Sequence, residues 1–116
     1  MWMVNPRKLC RKHLLGEHVE LHMLLGSLQK NRSIQGFLDA GLLQPQAAHQ
    51  RHEALVNEME TRGYKHASPL PYVKLKSEQY GAVNVQTSEK ELKKRCEECK
   101  GRFLTSEEAP WQCHRN

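Results

Sequence analysis

An all-α fold, one compact domain of three main helices joined by long ordered loops, is what this sequence predicts. Apolar residues recur at helical spacing in two long stretches, glycines stand where those periodicities stop, and no stretch alternates in the manner of a strand. At 116 residues the chain has room for one modest core, and a second globular unit would be too small to hold itself together.

Asn5-Pro6 reads as a helix start, with Asn5 able to cap and Pro6 suited to the first helical position. The first helix then runs to about Lys30, unless residues 6–11 form a loop. Leu14, Leu21, Leu25 and Leu28 form its core stripe, whereas His13, Glu17 and Glu20 share another. A short helix from Ser33 to Ala40 ends at Gly41, a residue suited to a left-handed cap. Ala48, His52, Leu55, Val56 and Met59 define a second long helix over residues 46–62, and Gly63 stops it. Residues 64–82, with Pro69 and Pro71, read as a crossing loop. Ser88 with Glu91 matches a capping box and opens a last helix from Glu89 to Cys99. Residues 1–99 thus form the helical domain, and 100–116 a polar tail carrying Cys and His.

No apolar run approaches the roughly 20 residues of a membrane span. Met1 to Pro6 is too short, and too soon interrupted by Pro6 and Arg7, to be a signal peptide. A cytoplasmic protein with reduced thiols is expected, and Cys10 reads as an isolated small core residue. The net charge is +5, and residues 1–35 supply four of those charges through Arg7, Lys8, Arg11, Lys12, Lys30 and Arg32 against Glu17 and Glu20. A basic end of this kind fits a polyanionic partner, or else a solvated helix start.

Glu20 stands mid-helix among Val19, Leu21, Met23 and Leu24. Half-buried there, a carboxylate would have a raised pKa and could act as acid or base; otherwise it is a surface glutamate paired along the helix. His18 and His22 are four apart with Glu20 between them, which is half of a zinc site without the His-Glu-x-x-His order of a zinc protease. Cys96-x-x-Cys99, followed by Cys113-His114, offers a structural zinc site, or free thiols at a helix end.

Residues 13–24, His-Leu-Leu-Gly-Glu-His-Val-Glu-Leu-His-Met-Leu, resemble the first-helix segment of the phage pyrimidine-dimer DNA glycosylase (endonuclease V) family, in which His-Leu-Met-Ala-Glu-Tyr-Arg-Glu-Leu carries the catalytic glutamate. Glu20 matches that glutamate. Residues 51–64, ending in Arg62-Gly63-Tyr64, are similar to the family's middle helix, so the resemblance spans most of residues 1–95 and leaves the cysteine tail uncovered.

The resemblance implies an endonuclease V-like three-helix protein, monomeric, acting on double-stranded DNA. It implies that a terminal α-amine attacks the sugar C1′, forms a Schiff base and nicks the strand by β-elimination, with no cofactor needed for catalysis. Because Trp2 is too bulky for the usual removal of the initiator, the amine in question is that of Met1 itself. Trp2 would stack on or wedge beside the damaged base, or else pack in the core. Arg7, Lys8, Arg11 and Lys12 would hold phosphates. Val19 and Met23 stand where the family carries phosphate-gripping arginines, and His13, His18 and His22 lie nearby as further DNA contacts. Two other readings remain open here: a non-catalytic nucleic-acid-binding helical protein, and a metal-dependent hydrolase built on His18, Glu20 and His22.

Overall fold

Asn5 and Pro6 do start helical backbone, but only for a single 3-10 turn, Pro6–Lys8, in which the Asn5 side chain accepts from the Arg7 N–H. The computed structural model describes residues 1–65 and 68–105. Beyond that turn the chain is extended at Leu9 and Cys10, and helix α1 begins at Arg11, not at Pro6, and runs to Gln29. The reason lies in the carbonyls of the arm. Arg62 donates to the carbonyls of Pro6 and Leu9, and Arg102 to that of Arg7, which draws acceptors away from a continuous helix. Leu9, wholly buried, anchors the bend.

Helix α1 buries Leu14, Leu21, Leu24, Leu25 and Leu28, and with them Glu17, which the sequence pattern set apart from the leucine stripe. Asn31, at φ 57°, turns the chain out of α1 in the left-handed conformation that asparagine tolerates. Helix α2, Gln35–Asp39, is shorter than the sequence predicts and closes at Gly41 with φ 71°. A 3-10 turn, Pro45–Ala47, leads into α3, Ala48–Thr61, which Gly63 ends at φ 85° with the Tyr64 N–H returning to the Met59 carbonyl. Both left-handed glycines fall where the sequence places them.

The last predicted helix is two. Helix α4, Val85–Arg95, starts four residues before the predicted start at Glu89, because Asn84 accepts from the Thr87 N–H and leaves Ser88 buried inside the helix. The backbone then opens at Cys96, and α5, Glu97–Thr105, follows. Phe103 packs against the core from beyond Lys100. Among the described residues there is no strand, and no helix is long and apolar enough to cross a membrane.

Helices α1 and α3 pack together, and α3 and α5 both meet the Pro6–Lys8 turn. At the centre, Arg51 of α3 and Glu17 of α1 form a two-pronged pair, Nε to Oε2 at 2.6 Å and Nη2 to Oε1 at 2.9 Å, with both side chains fully buried. The remaining Arg51 nitrogen, Nη1, donates to the Val4 carbonyl at 2.5 Å. One guanidinium thereby joins α3, α1 and the N-terminal arm.

Removing one partner of a buried pair leaves the other charged and unsolvated, at a cost of about 3–5 kcal/mol. Arg51→Met is therefore expected to destabilise the fold by about that amount, and Arg51→Met with Glu17→Met to recover much of the loss. Denaturant unfolding measures both. A single variant as stable as wild type would show that the pair does not organise the core.

Candidate active site

The N-terminal arm reaches its end through a strained residue. Met3 has φ 60°, uncommon for a residue with a side chain, and Val4, next along, is buried and held through its carbonyl by Arg51. Beyond Met3 the chain delivers Met1 against α1 and the segment after α2. The Met1 amine donates to the Leu42 carbonyl at 3.0 Å, and the Gln44 N–H points at the Met1 sulfur at 3.3 Å. The same amine lies 3.6 Å from the Glu20 carboxylate, whose side chain remains 57% exposed.

This pair lies on the wall of an open cleft of about 700 Å³. Trp2, Met23, Ile34, Phe37 and Leu42 line it with apolar surface, and Glu91 and Arg95 stand at the α4 side. Met23 and Phe37 are strongly exposed for such side chains. The arrangement presents an amine beside a solvent-accessible carboxylate, with flat and flexible apolar groups around them. Those are the parts a covalent attack on an electrophilic carbon and a proton transfer need. Two glutamines hold the segment around the cleft-lining residue Ala82. Gln46 donates to the Gly81 carbonyl at 2.6 Å and accepts from the Gly81 N–H at 3.1 Å, while Gln44 accepts from the Val83 N–H at 3.0 Å.

Trp2 does not extend freely into solvent. Its ring meets the His13 imidazole edge-on at 5.9 Å and 81°, and it packs partly on the core. Arg7, Arg11 and Lys12 are exposed and Lys8 half-buried, with Arg11 lying over the Tyr64 ring at 4.8 Å.

The three histidines of α1 divide between two clusters. His18 and His22 meet His52 of α3, with ring centroids 4.8–5.3 Å apart and their ligand nitrogens within 4.8 Å of one another. Nε2 of His22 is buried without a hydrogen-bond partner. Glu20 is not part of this group, so the third donor beside His18 and His22 is an imidazole from another helix.

His13 instead joins Cys10, Cys96 and Cys99, a set with the donors to hold a metal. Cys10, expected to be isolated, stands at the N-terminus of α1, and its Sγ is 3.2 Å from His13 Nδ1 and 3.8 Å from Cys96 Sγ. Cys99 Sγ is 3.4 Å from His13 Nδ1. Burial pushes the Cys99 thiol up to about 12, whereas the backbone N–H of Cys99, donated to Cys96 Sγ, holds the Cys96 thiol below its ordinary value. Burial lowers the His13 pKa, helped by the charges of Lys12 and Arg95 and opposed by Glu20 and Glu98. Cys113 and His114, read from the sequence as the other half of a zinc site, lie outside the described residues. The contribution of Cys10 and His13 was legible only as a Cys-x-x-His spacing that repeats Cys-x-x-Cys far along the chain.

A family model described as pyrimidine dimer DNA glycosylase matches residues 1–72. No curated protein and no solved structure matches the chain. The matched span contains the arm, α1, α2 and α3, hence Met1, Glu20 and the Arg51 pair; α4 and α5 lie beyond it.

Gly81 is closely packed behind the cleft-lining residues Leu43 and Ala82. A Cβ there would run into the Leu43 carbonyl and, at 2.8 Å, the Leu38 side chain. Gly81→Ala is expected to cost about 1–3 kcal/mol, because backbone has to give way. An unchanged thermal midpoint would show that this segment is looser than its hydrogen bonds imply.

Proposed function

The chain belongs to the pyrimidine dimer DNA glycosylase family, and on that premise we propose that it removes damaged bases from double-stranded DNA and then nicks the strand, using the Met1 amine and Glu20. The observation that carries this reading is the 3.6 Å separation of the Met1 amine from the Glu20 carboxylate on the wall of an open cleft.

The choice of nucleophile has a simple chemical basis. An α-amine is intrinsically about two pK units less basic than a lysine side chain, roughly 8 against 10.4, so far more of it is neutral near pH 7. Its lone pair forms the N–C1′ bond as the bond from C1′ to the base breaks, and the base leaves with that electron pair and gains a proton. Opening of the C1′–O4′ bond then gives the iminium, with the amine proton passing to O4′. Glu20 orients the sugar, stabilises the positive charge developing on it and removes a proton from C2′. Elimination breaks the C3′–O3′ bond, and water frees the amine. No step calls for a metal.

The cleft favours an unstacked base. Phe37 and Met23 are exposed on its walls and Trp2 stands beside the amine, so a flipped or distorted nucleotide meets apolar and aromatic surface there. Pyrimidine dimers are the substrate the family implies. Val19 and Met23 put apolar contacts where the family has arginines, which shifts the grip on the lesion from phosphate charge toward stacking. Arg7, Lys8, Arg11 and Lys12 supply the phosphate contacts, which position the duplex without reading its sequence.

Glu20→Gln keeps the size of the side chain and removes its charge. It is expected to lower base release by at least about a hundredfold, the usual range for losing a positioned acid or base, with DNA affinity changed by less than about threefold. A Glu20→Gln enzyme that releases bases at the wild-type rate would remove Glu20 from the mechanism. An added N-terminal glycine is expected to displace the amine from Glu20, abolishing strand cleavage and sparing DNA binding; gel assays on nicked and intact product separate the two.

A further inference from the structure

We propose that Cys10, His13, Cys96 and Cys99 bind one structural zinc ion that fastens α5 to the start of α1. In a tetrahedral zinc site with Zn–S near 2.3 Å and Zn–N near 2.0–2.1 Å, neighbouring sulfurs are about 3.8 Å apart and sulfur and nitrogen about 3.6 Å. The Cys10 and Cys96 sulfurs are 3.8 Å apart, and His13 Nδ1 lies 3.2 Å from Cys10 Sγ and 3.4 Å from Cys99 Sγ. Four side chains on two distant segments therefore already stand near the edges of one coordination tetrahedron. A disulfide would need sulfurs about 2.05 Å apart, which this spacing excludes.

The backbone supports the same assignment. Cys10 stands at the N-terminus of α1 and Cys96 immediately before α5, so Cys-x-x-His and Cys-x-x-Cys each place two donors across the first turn of a helix. The Cys10 N–H donates to Cys99 Sγ at 3.3 Å, and the Cys99 N–H to Cys96 Sγ at 3.4 Å. Such N–H groups stabilise coordinated thiolates and hold them in direction. Cys10 and Cys99 are buried, so the site is closed to solvent on that side. Three soft thiolates and an imidazole favour zinc over magnesium or calcium, and a complete four-donor set leaves no open position for substrate, so its role is structural.

Its consequence reaches the amine. The ligand pairs are separated by 86 residues, and the ion would close that loop with α5 already docked through Arg102 on the Arg7 carbonyl. His13, fixed through Nδ1, makes a T-shaped ring contact with Trp2, the neighbour of Met1. The inference stands apart from the proposed chemistry, since no step of that chemistry uses the metal.

The test is elemental analysis of the purified full-length chain together with the absorption spectrum of its cobalt-substituted form. Expected are at least one zinc per chain, a loss of one equivalent in both Cys10→Ser and Cys96→Ser, and full retention in Cys113→Ser and His22→Gln. The cobalt form of the wild type, which needs no variant to fold, should show tetrahedral d–d bands with thiolate charge-transfer absorption. A chain that takes up neither zinc nor cobalt overturns the proposal. So does a metal content unchanged by Cys10→Ser, or one that falls with Cys113→Ser or His22→Gln in its place.

Discussion

A single buried guanidinium decides where the N-terminus of this protein lies. Arg51 spends two nitrogens on Glu17 and the third on the Val4 carbonyl, so the position of the arm is coupled to the packing of α3 against α1. An ion pair in an apolar interior is a poor source of net stability, because both groups lose their water. Its value here is directional. A guanidinium has a fixed planar fork, and joining three segments through it admits few arrangements of those segments. Arg62 and Arg102 extend the same device along the arm by taking the carbonyls of Pro6, Arg7 and Leu9. Among the described residues the arm pairs with no strand, and arginines take the carbonyls that a ladder would satisfy.

Glu17 and Glu20 show how one helix divides structure from chemistry. They are three residues apart, so about 60° of rotation separates them around α1. Glu17 falls at the edge of the leucine stripe and is neutralised by Arg51. Glu20 falls a sixth of a turn further, into the cleft, with most of its side chain open to solvent and the Met1 amine as its neighbour. The first carboxylate fixes the arm, and the arm brings its terminus to the second. A chain-end amine is ordinarily loose; here the burial of Met1 and Val4 and the hydrogen bond to Leu42 hold it.

Much of this was legible in the sequence because it rests on local chemistry. The apolar spacing of α3, the left-handed turns at Gly41 and Gly63 and the position of Glu20 all follow from residues within a few positions of one another. The start of α4 was misplaced for a local reason too: Asn84 competes with Ser88 for the cap and wins, since Ser88 is drawn into the core. What could not be read directly was pairing across the chain. The sequence pattern groups Glu17 with His13 and Glu20, yet Glu17 also stands three residues after Leu14 and four before Leu21, and Arg51 stands in the same way between Ala48 and Leu55, so both charges fall among core residues. Cys10 and His13 gave a weaker sign, because their partners at 96 and 99 lie beyond a long loop whose path no periodicity defines. His52 was read as part of an apolar stripe, and its meeting with His18 and His22 depends on the crossing of α1 and α3.

Borohydride reduction of the protein mixed with abasic-site DNA is the sharpest test of the Met1 nitrogen as the nucleophile. Reduction converts the imine to a stable amine, and peptide mass spectrometry locates the carbon that has been added. A covalent adduct on the N-terminal peptide, at the α-nitrogen of Met1, is expected. No adduct, or an adduct on a lysine side chain, would contradict it.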